Sequence, residues 1–285
     1  MVAAAVVRHH VTRALAGALL GLVAACNGGT AVSGSMATQG GEASSGFATQ
    51  VSHSSGGPST SEATDATSPT TGEPLPPPTA CAEPTSLTAS PRSIGEALAF
   101  INELPRPLTL DCFLERLERP LAIAATRSMI SLQPAVGDNS PRLFLFMGEL
   151  VLSVAVDGHG FDLLEFGELV APTRSIKAEI AFPLDDLLAP EAPFARIFDG
   201  VDGTNCGVCH AEEVSEPRYP QAFVSDALRF PEFEAVAFAV VREAYERCDP
   251  AAQPERCARL TALFGHGPVE AAAFPETMPT IYDYE

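Results

Sequence analysis

Apolar and polar positions between residues 93 and 182 follow two different rhythms. Ile94, Ala97, Leu98, Ile101 and Leu104 recur at helical spacing behind Ser93-Ile94-Gly95-Glu96, which reads as a capping box, and Pro105 stops the run. Leu110, Phe113, Leu114 and Leu117 repeat the pattern after Thr109, predicting a second short helix. The rhythm then shortens. Leu121–Ala125, Leu143–Met147, Leu150–Val156 and Phe161–Phe166 are brief apolar runs, and Ile176, Ala178, Ile180 and Phe182 alternate with Lys177, Glu179 and Ala181. These predict an antiparallel sheet of four or five strands, with Asp157-Gly158-His159-Gly160 as a turn and His159 a solvated residue within it.

The helical rhythm returns further on. Pro231 can open a helix with Phe233, Val236, Ala237, Val240 and Ala244 as its buried stripe, ending at Cys248. Pro254 opens another, with Cys257, Leu260, Thr261 and Phe264 on one face and Gly265 as its stop. The expected fold class is therefore α+β. A small antiparallel sheet with N-terminal helices spans residues 81–192, and a mostly helical part around residues 206–210 spans residues 193–285.

The chain ahead of residue 81 reads differently. Arg8 and Arg13 precede an apolar run of 12 residues, 14–25, too short to span a bilayer but suited to a signal peptide. The run ends in Val23-Ala24-Ala25-Cys26, which resembles the lipobox of bacterial lipoproteins. The resemblance implies cleavage after residue 25, lipidation of Cys26 and a cell-envelope location. Asn27, rather than Asp, points to the outer membrane more than the inner. Residues 26–80 are rich in Gly, Ser, Thr, Ala and Pro and form a tether that cannot bury enough surface to fold. Its end-to-end distance is roughly 40 Å by random-coil scaling.

Charge narrows the partners. The net charge is −19, and loss of Arg8 and Arg13 with the signal takes it to −21. That argues against nucleic acid and leaves room for a basic redox partner protein. Seven cysteines fit an oxidising compartment. Setting aside Cys26, Cys206 and Cys209, four remain. They allow three pairings, of which proximity favours Cys81–Cys112 and Cys248–Cys257.

Cys206-Gly207-Val208-Cys209-His210 carries the candidate chemistry. On a helical turn, residues three apart face the same way, so both sulfurs can reach one flat group while the next residue aims an imidazole at its centre. The motif resembles that of c-type cytochromes, over residues 193–285 at most. The resemblance implies covalent haem c on Cys206 and Cys209 with His210 as proximal iron ligand. Met278, followed by Pro279, is the distal candidate, and His266 is the alternative. Only seven residues follow Met278, too few for the closing helix of small cytochromes. Competing readings are a Cys206–Cys209 disulfide, a redox dithiol and a zinc corner. The functional expectation is a membrane-anchored, single-haem electron-transfer lipoprotein rather than an enzyme. The alternative is a non-catalytic, disulfide-stapled surface lipoprotein that binds another envelope component.

Overall fold

Ser93 and Thr109 open the first two helices as their spacing predicts. In the computed structural model, which describes residues 79–283, the Ser93 hydroxyl accepts from the Glu96 amide and the Thr109 hydroxyl from the Cys112 amide. Helix α1 is Ile94–Glu103 and α2 is Leu110–Glu115. Ile94, Ala97, Leu98, Ile101 and Leu104 are all buried. The expected signal peptide, Cys26 and residues 26–78 of the tether lie outside the described residues.

Five strands follow in a consecutive antiparallel meander: β1 (Leu121–Thr126), β2 (Arg142–Met147), β3 (Leu150–Ala155), β4 (Leu163–Ala171) and β5 (Arg174–Ala181). Each grows from one of the short apolar runs. Between β3 and β4, Gly158 and Gly160 adopt φ of 75° and 83°, a region where a side chain is strained.

The expected fold class is corrected by the rest of the sheet, which is mixed and has eight strands. β6 (Val214–Glu216), β7 (Ala222–Asp226) and β8 (Val269–Ala271) come from the part expected to be mostly helical. The order is β6-β7-β5-β4-β3-β2-β1-β8, with β8 parallel to β1. Strands of three to five residues carry too little alternation to be told from loop, and their partners are distant in sequence. Helices in this part are α3 (Ala192–Ala195), α4 (Phe238–Glu246) and α5 (Pro254–Phe264). The helix expected from Pro231 starts at Phe238 instead. Residues 227–236 form a strap with one 3-10 turn at Glu232–Glu234, the Arg127 amide on the Glu234 carbonyl and the Val236 amide on the Ala125 carbonyl, both at 2.9 Å. Phe233, expected in the buried stripe, is 67% exposed.

Alternation along each strand divides the sheet's two faces. Ile123, Leu143, Leu145, Leu152, Val154, Leu164, Phe166, Ile176 and Ile180 share one core with α1, α2 and α5. The opposite face carries Arg142, Ser153, Glu165, Ser175, Lys177 and Glu179. Among the described residues no helical layer packs on that face. The strap at 227–236 and the chain after β8, whose Phe274 ring meets Phe144 and Phe146 of β2, lie on it. Among the described residues no helix is long and apolar enough to cross a membrane.

Cysteine pairing follows the proximity expected of it. Cys81 is bonded to Cys112 in α2, and Cys248 after α4 is bonded to Cys257 in α5.

Candidate functional site

The segment carrying the cysteine motif is a loop folded back on itself. The Asn205 amide donates to the Ile197 carbonyl at 2.9 Å and the Asp199 amide to the Gly203 carbonyl at 3.1 Å. Glu213 closes the loop, its carboxylate accepting from the Thr204 amide at 2.8 Å and from the Thr204 hydroxyl. A Cβ at Gly207 would lie 2.6 Å from that carboxylate, so the first position between the two cysteines has no room for a side chain. Thr204 caps the short 3-10 turn Asn205–Val208, accepting from the Cys206 amide at 3.1 Å. The His210 amide then donates to the Cys206 carbonyl at 2.8 Å. Cys206 and His210 thus stand one helical turn apart. Cys206 is half-buried and Cys209 is exposed.

His210 ties this loop to the sheet. Its Nδ1 lies 2.8 Å from the Asp226 carbonyl at the end of β7. A carbonyl can only accept, so Nδ1 carries the proton and the lone pair is on Nε2. The Asp226 amide returns a bond to the Ala211 carbonyl at 3.1 Å. Arg174 of β5 pairs with Asp226 at 2.6 Å and also donates to the Glu212 carbonyl. Burial, helped by the Lys177 charge, holds the His210 pKa down to about 3, so the imidazole is neutral near pH 7.

Beneath the loop lies the polar face of β4 and β5. On it Arg142 pairs with Glu165 and Arg196 with Glu179. Lys177 is the odd cation: its Nζ donates to the Ser175 hydroxyl at 2.7 Å, and among the described residues no carboxylate lies within ion-pair reach. Burial lowers its pKa to about 8, with the charges of Cys206 and Glu165 opposing the fall. It is the sole lysine of the chain, beside sixteen arginines, a compositional oddity that marks it even before folding is considered.

Burial pushes the Cys206 thiol up to about 12. A reactive redox dithiol has a depressed thiol pKa, the opposite direction to this one. Cys206 carries its sulfur as a thiol.

The two distal candidates part company. Met278 is buried, and its carbonyl accepts from Arg229 Nε at 2.8 Å. Arg229 follows Asp226, which holds His210, by three residues, a span of at most ~11 Å. His266 lies elsewhere, after α5. Its Nε2 stands 3.5 Å from Glu115 of α2, and burial lowers its pKa. It lines a surface cleft with Glu115, Arg116 and Arg119 on the helical side of the sheet. Glu115 also lies beside Cys81 and Cys112, but their sulfurs are spent on each other and offer no thiolate to an ion.

No protein-family model, curated protein or solved structure matches this chain, so the geometry around Cys206 and His210 carries the functional reading alone.

Proposed function

We propose that this chain is a membrane-anchored, single-haem c-type protein that carries single electrons. Cys206 and Cys209 hold the haem through thioethers, and His210 ligates the iron through Nε2. The observation that carries the reading is the bond from His210 Nδ1–H to the Asp226 carbonyl. Metal-ligating histidines are oriented in this way: one ring nitrogen donates to a fixed acceptor and the other is left basic. When bound, the haem supplies a one-electron iron couple.

The chain's own groups would do the rest. The Asp226 carbonyl fixes the imidazole ring, and Glu213 and Thr204 fix the turn that presents the sulfurs. Val201, Val208 and Val214 are exposed about the motif and offer apolar cover to a flat ring. Met278 is the favoured distal ligand, since its strap is tied to the one leaving β7, and a soft thioether raises the potential relative to a second histidine. Residues 197–217 hold five carboxylates and no lysine or arginine, which suits docking to a basic redox partner. Lipid on Cys26 would hold the protein to the envelope, with the outer membrane favoured.

The test is expression with c-type cytochrome maturation machinery. Wild type should keep haem colour through denaturing electrophoresis, and the double variant Cys206→Ala, Cys209→Ala should lose it. Colourless wild type from such a host overturns the reading. What then stands is a disulfide-stapled surface lipoprotein that binds another envelope component.

A further inference from the structure

The chain leaves His210 through a costly piece of backbone. Glu212, two residues on, has a φ of 61°, a left-handed conformation that few residues with a side chain adopt. Such a residue persists where its surroundings over-determine it. Arg174 of β5 supplies part of that restraint. Its Nη2 donates to the Glu212 carbonyl and to the Val224 carbonyl at 3.1 Å, and its Nη1 donates to the Asp226 carboxylate at 2.6 Å. A planar guanidinium forks across several acceptors in a fixed geometry, which an ammonium on a flexible stem does not do.

The two segments bridged by Arg174 are the two that meet at His210. One is residues 210–212. The other is the end of β7, where Asp226 is buried and stands opposite Arg174 in the β5–β7 register. Two bonds join the segments directly: His210 Nδ1–H to the Asp226 carbonyl at 2.8 Å, and the Asp226 amide to the Ala211 carbonyl at 3.1 Å. Charge-assisted bonds are roughly twice as strong as neutral ones, so the guanidinium is the firmest tie in the group. We infer that Arg174 is a positioning residue for His210. It locks residues 210–212 onto the end of β7, so that the imidazole keeps its proton on Nδ1 and presents Nε2. Arg174 acts through Asp226 and Glu212 and touches no reacting atom. Its service to iron rests on the haem reading above, whereas the lock is a property of the chain itself.

The test takes the full-length chain, made without haem maturation, and compares wild type, Arg174→Met and Arg174→Lys. Heteronuclear NMR at neutral pH reads which ring nitrogen of His210 carries the proton, with His210→Gln to assign the signals, and urea unfolding reads stability. Wild type should hold the proton wholly on Nδ1. Arg174→Met should give a mixture in which the Nε2–H form is present. Arg174→Lys should fall between, because it keeps the ion pair with Asp226 and loses the fork. An ion pair that merely stabilised the sheet would lower the urea midpoint and leave the tautomer alone. A folded Arg174→Met with its proton wholly on Nδ1 therefore overturns the proposal, and if that variant does not fold, the same result in Arg174→Lys overturns it. In the haem-loaded protein, ferric electron paramagnetic resonance reads the plane of the axial imidazole, and Arg174→Met should broaden g-values that are sharp in wild type. Colourless wild type after maturation sinks the haem reading alone and leaves the tautomer result standing.

Discussion

Arg259 is 1% exposed, and its partners reach across the fold. From α5 it pairs with Asp111 of α2, donates to the Ala155 and Phe161 carbonyls at 2.7 and 2.8 Å, and lies over the Phe161 ring at 3.9 Å. Replacing it with Ala would strand a carboxylate and two carbonyls without donors. The expected loss is about 3–5 kcal/mol, measured by urea unfolding. An apolar residue of similar length, as in Arg259→Met, should recover part of the packing but none of the pairing. Residues of this kind were not legible in the sequence. The apolar stripe of α5 was visible at Cys257, Leu260 and Phe264, but a buried arginine within it announces itself only when its partners are in place. Lys177 is the converse case. Its solitude among sixteen arginines is plain in the sequence, yet alternation along β5 marks it merely as the polar side of a strand. That this side is covered by the motif loop depends on contacts with residues 206–226.

At the level of elements, each disulfide joins helical structure to what precedes it. Cys81–Cys112 closes a separation of 31 residues and Cys248–Cys257 one of 9. On the chain-entropy account, the first contributes about 3–4 kcal/mol and the second about 2–3 kcal/mol. Paired Cys→Ala variants compared by thermal unfolding should therefore rank Cys81/Cys112 as the costlier loss. Equal losses, or the reverse order, would show that the native contacts at each bridge outweigh loop closure. The elements read from pattern alone, α1, α2, α5 and the five strands of the meander, are those whose apolar period is sustained within one segment. β6, β7 and β8 escaped because each is too short to show a period. They form by pairing outward from the edges of the meander, β7 on β5, β6 on β7 and β8 on β1. The strap at 227–236 misled for a related reason. Its spacing suits a helix, but hydrogen bonds to Ala125 and Arg127 tie it to the end of β1, and only one 3-10 turn, Glu232–Glu234, forms. The motif was legible as a pattern of sulfur and imidazole. The Asp226 carbonyl that orients the imidazole was not, since a backbone group leaves no mark in a sequence.

For the whole molecule, the proposed anchoring sets a simple expectation. Cys26→Ser should move the protein from the detergent phase to the aqueous phase in Triton X-114 partitioning of cells, and wild type already aqueous would overturn the lipid assignment. The placement of the first disulfide bears on what such an anchor does to the domain. Residues 79–81 enter the helical side of the sheet, where the Glu115 carboxylate accepts from the Ala80 amide at 2.8 Å and Cys81 is covalently joined to α2. The cysteine–histidine loop is on the other side. A drag on the leading segment would thus be borne by a covalent bond and taken up among α2 and its neighbours, with the sheet standing between that load and His210. The loop would feel little of the tugging that a crowded, moving envelope imposes, and its geometry need not slacken whenever the leash goes taut.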